Sequence, residues 1–237
     1  MWTFILSLSS LVVYVVAQTA EQLAAVDTTK AAVQQQILDL VNECRRTVQP
    51  TATNMLKVQW NAEASKTAEA WAKQCQFVHS KQADKQITNY ICGENLYSTS
   101  YATNWKEAIE KFCNEKVNFT YGQGKVSGTV VEHYTQQVWY NSYLIGCYAA
   151  YCPNGKTYKW FFVCHQCPEG NLNQIIRPYT SGTTCGACPN NCDNKLCTNS
   201  CNIGNTFTNC NTYKGRCDVQ AVKDGCKGMC QCPNAII

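Results

Sequence analysis

The chain has 237 residues, with 20 Lys and Arg against 16 Asp and Glu, for a formal net charge of +4. With 45% hydrophobic and 15% charged residues it can build a packed core, which excludes a disordered chain, and the mild charge excludes a nucleic-acid binder with a concentrated basic face. The 18 cysteines, an even count, fit an oxidising compartment and not a reducing cytosol.

Residues 1–17 read as a secretory signal peptide. Their apolar run over 4–16 is too short to span a bilayer, and Val15-x-Ala17 is a small-residue cleavage site that leaves Gln18 as the new N-terminus. An uncleaved anchor is the other reading of the same segment. No other segment is apolar enough to cross a membrane, so the mature chain is expected to be soluble and exported. Asn118-Phe119-Thr120 is a glycosylation sequon, usable in such a compartment.

Val33, Ile37, Leu40, Val41, Cys44 and Val48 recur at helical spacing and predict an amphipathic helix over 31–48, stopped by Pro50. Asn61 is the expected N-cap of a second helix, with Ala64, Ala68, Trp71, Ala72 and Cys75 on one face. A third helix is expected from Asn104 to about Val117, with Trp105, Ala108, Ile109 and Phe112 facing inward. Residues 143–150 and 158–165 are rich in β-branched and aromatic side chains and flank Cys152-Pro153-Asn154-Gly155, which predicts an antiparallel hairpin. Helices first and strands second give an α+β layered domain.

The cysteines divide the chain. Eight lie between Cys44 and Cys167 and ten crowd between Cys185 and Cys232. Residues 168–184 between the groups are rich in Asn, Gly, Pro and Thr and read as a linker or an irregular extended segment. The C-terminal fragment is too short for comfortable stability from burial, so it is expected to be held by disulfides and not by a core. Cys185-x-x-Cys188 has the form of half a zinc ribbon, but an exported chain favours a disulfide pair there.

Several motifs now appear in order. Glu132-His133-Tyr134-Thr135-Gln136-Gln137-Val138-Trp139 resembles the His-Tyr-Thr-Gln signature of the CAP superfamily, and Cys92-Gly93-Glu94-Asn95-Leu96-Tyr97 resembles its Gly-Glu-Asn motif. Phe161-Phe162-Val163-Cys164 with Cys167-Pro168-x-Gly170-Asn171 resembles its closing signature. The tail from Cys185-x-x-Cys188 through Cys192 and Cys197-Thr198-Asn199-Ser200-Cys201 resembles the hinge and cysteine-rich domain of the cysteine-rich secretory proteins, or CRISPs. The chain departs from the pattern at Gln137, where an apolar residue is usual, at Gln166, where Tyr is common, and at Val41, where many relatives have His.

The resemblance implies an α-β-α sandwich CAP domain over 18–175 with an N-terminal extension. A linker and disulfide-bridged hinge over 176–200 and a small cysteine-rich domain with short helices over 201–237 would follow. It implies the bridges Cys75–Cys152, Cys92–Cys167 and Cys147–Cys164 in the first domain and Cys185–Cys192 and Cys188–Cys197 in the hinge. In the tail it implies Cys201–Cys232, Cys210–Cys226 and Cys217–Cys230. Cys44 and Cys113 are additional to the family's set, and an even remainder in a secreted chain points to a ninth bridge between them. Two buried free thiols are the alternative.

The same resemblance implies a shallow cleft lined by His79, Glu94, Glu115 and His133. His79 and His133 would hold Zn²⁺ or another divalent metal, with Glu94 and Glu115 in support and no cofactor required. His165, the third histidine, does not match the cleft pattern and reads as a structural or surface residue. No nucleophile sits beside a base, since Ser80 merely adjoins His79 along the chain, and two protein ligands are fewer than the three usual at catalytic zinc. An enzyme is therefore not expected, and a secreted metal-dependent hydrolase stands as one alternative.

Several proteins of the family it resembles block or modulate ion channels, and the tail resembles potassium-channel toxins in fold. The expected function is a secreted binding protein whose tail docks on an ion channel or cell-surface receptor. Ile203, Phe207, Tyr213, Lys214, Arg216, Lys223 and Lys227 are the candidate contacts. The stretch before Cys226 has Lys223 but no Tyr, which favours docking at a channel rim over a pore plug. A reproductive-tract ligand acting on sperm is the other alternative.

Overall fold

The structure, a computed structural model, describes residues 19–172, 175–207 and 209–237. The expected signal segment and its cleavage site lie outside these residues. Helix α1, Ala31–Arg46, buries Val33, Ile37, Val41 and Cys44 on one side, the set that the 3.6-residue spacing predicts. It ends before Val48: the Thr47 hydroxyl donates to Glu43 O and closes the last turn ahead of Pro50. After the short strand β1, Gln59–Trp60, comes α2, Ala62–Ala72, whose first turn is capped by Asn61 Oδ1 accepting the Ala64 N–H at 2.8 Å. Cys75 lies beyond the end of α2 in the left-handed region, at φ 54°, and is not part of the helical face.

A small hairpin of β2, Gln86–Ile87, and β3, Tyr90–Ile91, leads into strand β4, Gly93–Thr99. Helix α3, Trp105–Asn114, is capped by Asn104, and a single 3₁₀ turn, Glu115–Asn118, continues it to the expected end. A second small hairpin, β5 (Phe119–Thr120) with β6 (Gly124–Lys125), precedes the short helix α4, Glu132–Gln137. Strands β7, Leu144–Tyr151, and β8, Trp160–Cys167, then form the predicted antiparallel hairpin.

The sheet runs β1-β7-β8-β4, with β1 parallel to β7 and the other neighbours antiparallel. Every residue of β8 is buried, as a central strand covered on both faces must be. Phe161 and Val163 pack with Ala68, Trp71 and Ala72 of α2. Phe162 and Cys164 pack the opposite way, with Ile37, Val41, Trp105 and Ile109 of α1 and α3. Helices on both sides of one sheet make the α-β-α sandwich. The order is not helices first and strands second, because β4 falls between α2 and α3.

The cysteines are all bridged. The first unit holds Cys44–Cys113, Cys75–Cys152, Cys92–Cys167 and Cys147–Cys164. The second holds Cys185–Cys192, Cys188–Cys197, Cys201–Cys232, Cys210–Cys226 and Cys217–Cys230. Cys44–Cys113 ties α1 to α3 with Cα atoms 6.1 Å apart. None of the bridges joins the two groups.

The C-terminal part consists of the hairpin β9 (Cys192–Asp193) with β10 (Leu196–Cys197), a 3₁₀ turn, Cys210–Tyr213, and the short helices α5, Gln220–Gly225, and α6, Lys227–Gln231. The expectation that it lacks a core needs correction. Leu196 is fully buried among Val48, Ala52, Met55, Tyr134 and Val138 of the first unit and Tyr179 of the connecting stretch. The Cys197 N–H donates to Met55 O and the Lys57 N–H donates to Cys197 O, at 2.7 and 2.8 Å. The 168–184 stretch is irregular but held down, with the Thr53 N–H on Thr180 O and the Tyr140 N–H on Pro178 O. Main-chain groups on the flank of the first unit need partners, and this part of the chain supplies them.

Arg45 joins these layers. It is 1% exposed, and its guanidinium donates to Leu56 O, Gln137 O, Trp139 O and Tyr140 O at 2.8 to 2.9 Å. Burial lowers its pKa to about 9, so it stays charged at neutral pH with carbonyl dipoles in place of a counter-ion. Arg45→Met is expected to strand four buried carbonyls and cost at least about 3 kcal/mol. Urea unfolding checks this, and a loss below about 1 kcal/mol contradicts it.

Candidate functional site

Edge strand β4 carries Glu94 and Asn95 side by side, and the two serve different partners. The Glu94 side chain is fully buried. Its Oε1 lies 2.7 Å from His79 Nδ1 and accepts the Ser80 N–H at 2.9 Å, while its Oε2 lies 3.0 Å from His165 Nε2. Burial alone would push this carboxyl up. The hydrogen bonds from His165, His79 and Ser80 outweigh it and hold the group well below the usual carboxylate range. Asn95 Nδ2 donates to His133 O at 3.0 Å, so the same strand anchors the backbone of the second histidine.

Glu115 begins the 3₁₀ turn after α3 and reaches the start of α4. Its Oε2 accepts the backbone N–H groups of His133 and Tyr134 at 3.0 and 3.1 Å, and its Oε1 lies 2.6 Å from His133 Nδ1. The His133 ring stacks on Phe112, with centroids 5.2 Å apart. Cys113 is the next residue, so the Cys44–Cys113 bridge fixes the turn that presents both Phe112 and Glu115.

Each histidine thus spends Nδ1 on a carboxylate. Neither Nε2 has a hydrogen-bond partner among the described residues. This is the arrangement in which a carboxylate fixes the tautomer and leaves a ring nitrogen for a metal. The only group of three or more ligand atoms found close together among the described residues is Cys185, Cys188 and Cys197, and those sulfurs are consumed in disulfides. Each His–Glu pair thus offers one imidazole nitrogen with a carboxylate behind it, a donor type that suits a divalent cation.

His165 is placed more definitely than its sequence context allows. It is fully buried beneath Glu94, with Nδ1 2.8 Å from the Thr67 hydroxyl, and is not a surface residue. Ser80 donates only its backbone N–H to this network, and its buried hydroxyl has no partner among the described residues.

The three sequence motifs converge on Gln136. Its Oε1 accepts the Gly170 N–H at 3.0 Å, and its Nε2 donates to Ser142 Oγ at 3.2 Å. A Cβ at Gly93 would sit 2.0 Å from Gln136 Oε1, and one at Gly170 would press on both Trp139 and Gln136. Only glycine leaves room at these two positions. Asn171 completes the clasp by donating to Glu132 O and accepting from the Thr135 hydroxyl. Two of the three departures from the pattern meet nearby: Gln166 Nε2 donates to Gln137 Oε1, and both residues are buried.

In the tail, Tyr213, Lys214, Arg216, Lys223 and Lys227 are exposed. Phe207 is exposed as well and Ile203 is half-buried, and both also line a cavity against the first unit. Asn118 ends the 3₁₀ turn that Glu115 begins.

Comparison with known proteins gives the following. A model described as the cysteine-rich secretory protein family matches residues 38–166, and one described as Crisp matches residues 185–237. Cysteine-rich secretory protein 3 of Homo sapiens is 46% identical over 213 residues, covering 88% of this chain and 86% of that protein. Cysteine-rich secretory protein 2 of Homo sapiens is 44% identical over 213 residues, covering 88% and 87%. Among solved structures, NaASP2 with Zn²⁺ is 28% identical with a TM-score of 0.57, covering 71% of this chain and 96% of that one. Na-ASP-1 is 26% identical with a TM-score of 0.58, covering 70% of this chain and 46% of that one.

Because its pKa is depressed in the fold, Glu94 stabilises the protein above the unfolded-chain value of about 4, and this contribution drains away as pH falls below it. Urea unfolding at neutral pH and at about pH 3 should therefore show a larger acid loss for the wild type than for Glu94→Gln. Equal losses would contradict the assignment.

Proposed function

The chain belongs to the cysteine-rich secretory protein family, and from that premise we propose a secreted binding protein that modulates an ion channel or cell-surface receptor through its disulfide-rich tail. The observation that carries this reading is the state of residues 201–237. Three bridges lock them, and the Tyr90 and Tyr143 hydroxyls both donate to Cys201 O, at 2.9 and 2.8 Å. A surface ordered in advance loses little entropy on docking. It carries exposed Tyr213, Lys214, Arg216, Lys223 and Lys227, an aromatic anchor with four cations. Phe207 is exposed and stays among the candidate contacts, and Ile203 is half-buried beside it on the cavity wall. Eighteen bridged cysteines support export to an oxidising compartment, and in that compartment Asn118 is the expected glycan acceptor. Among the described residues no helix is long and apolar enough to cross a membrane.

The cleft is read as a metal-binding polar network without catalysis. His79 and His133 would hold the ion through Nε2, with Glu94 and Glu115 orienting them. A bound divalent ion would supply a Lewis-acidic centre and a cross-link between the loop after α2, which carries His79, and α4, which carries His133. Glu94 is a poor general base, because its carboxyl is tied down by three donors, and Ser80 is not paired with His79. Calorimetric titration with Zn²⁺ should show binding that weakens on acidification, as protons compete for the imidazoles. The His79→Ala/His133→Ala double variant should lose it, and unchanged binding in that variant would refute the ligand set.

The functional reading is tested by applying the purified protein to cells carrying defined potassium, calcium and TRP-type channels. A change in current is expected from at least one of them. A variant with Lys214, Arg216, Lys223 and Lys227 all changed to Ala should reduce the effect at least about tenfold. A current response that survives those four substitutions contradicts docking through the tail.

A further inference from the structure

A cavity of about 590 Å³ opens between the sandwich and the tail, a volume in the range of small-molecule sites. Its walls are Tyr90, Trp139, Tyr140 and Tyr143 from the first unit and Ile203 and Phe207 from the second. None of the residues that line it is a Lys or an Arg. Its lining includes two acceptors without partners among the described residues, carried by segments that lie side by side.

The placement follows from short contacts. The Ser142 hydroxyl donates to Pro168 O at 2.6 Å, which sets the segment carrying Asn141 beside the segment carrying Glu169. The Glu169 N–H donates to Ile91 O at 2.9 Å, fixing the residue against the β2–β3 hairpin. The Trp139 ring lies over Gly170, the next residue. The Tyr90 and Tyr143 hydroxyls are spent on Cys201 O, and the two rings, with centroids 6.3 Å apart at 83°, wall the space. Asn141 Oδ1 is buried and has no partner among the described residues. The half-buried Glu169 carboxylate makes no hydrogen bond or ion pair among them either. Burial pushes the Glu169 carboxyl up, and Lys85 offsets this only in part, from outside the cavity.

We propose that this cavity is a binding site for a small organic ammonium ion with an aromatic or short aliphatic body, held by Glu169 and Asn141 and enclosed by Tyr90, Trp139 and Tyr143. An ammonium group supplies the donors that both acceptors lack and the charge that Glu169 lacks. The aromatic rings favour a cation over a neutral solute and bury the apolar body. An anion would be repelled by the Glu169 carboxylate. A neutral apolar ligand would desolvate Glu169 further without giving it a partner. The site requires both units, because Ile203 and Phe207 close it from the tail side. It shares no residue with the histidine cleft and stands whether or not the tail docks on a channel.

The test uses the whole secreted protein and three probes of similar shape: 2-phenylethylamine, 2-phenylethanol and 3-phenylpropanoate. Calorimetry, with tryptophan fluorescence reporting Trp139, should give saturable binding of the amine with Kd below about 1 mM and at least tenfold weaker binding of the alcohol and the acid. Glu169→Gln should weaken the amine at least about tenfold and leave the alcohol unchanged. Should that variant fail to fold, Asn141→Ala is read in its place, with an expected loss of about threefold or more. No saturable amine binding, equal binding of amine and alcohol, or an unchanged amine Kd in the folded variant would each overturn the proposal.

Discussion

A single buried guanidinium carries much of this architecture. Arg45 leaves the core face of α1 and satisfies carbonyls on both sides of the hinge contact: Leu56 ahead of β1, and Gln137, Trp139 and Tyr140 after α4. Buried carbonyls in irregular chain are costly to strand, and no strand or helix could serve these four together. The segment after α4 can then turn sharply, place Trp139 against Gly170 and pass directly into β7. The tail rests on the same region, since Leu196 packs against Met55 and Val138 and Cys197 pairs with Met55 and Lys57.

Gln136 does for side chains what Arg45 does for the backbone. Three stretches far apart in the chain are recognisable motifs because each supplies something to one amide: Gly93 space, Gln136 the amide itself, and Gly170 both space and an N–H. This packing brings β4 against α4, and with it Asn95 against His133. The cleft is thus a consequence of core packing at the sheet edge. Its carboxylates are committed to orienting imidazoles and backbone.

Much of the fold was legible because its helices obey simple periodicity. Val33, Ile37 and Val41 mark α1, Asn61 and Asn104 cap α2 and α3, and the β7–β8 hairpin is written in aromatic and β-branched residues. Strand β4 was not legible. It buries Glu94 and Asn95 for polar partners and so shows no alternation of apolar and polar residues. Helix α4 has six residues with Thr135, Gln136 and Gln137 all buried, and carries no amphipathic signal. Arg45 reads in sequence as a basic residue in a helix's last turn, and nothing local distinguishes it from its exposed use. The four cleft residues come from segments whose spacing means nothing without the fold, so only motif resemblance could gather them. His165 escaped even that, because its partners Thr67 and Glu94 belong to other elements.

The central claim is a division of labour, with partner binding on the locked tail and a non-catalytic histidine cleft on the sandwich. It is tested most directly by the channel response of the folded His79→Ala/His133→Ala protein, measured as a full dose–response curve on a channel that answers to the wild type. The account predicts a half-effective concentration within about twofold of the wild type, since no tail contact has been touched. A loss of the response in this variant would contradict the account and move the functional surface to the cleft.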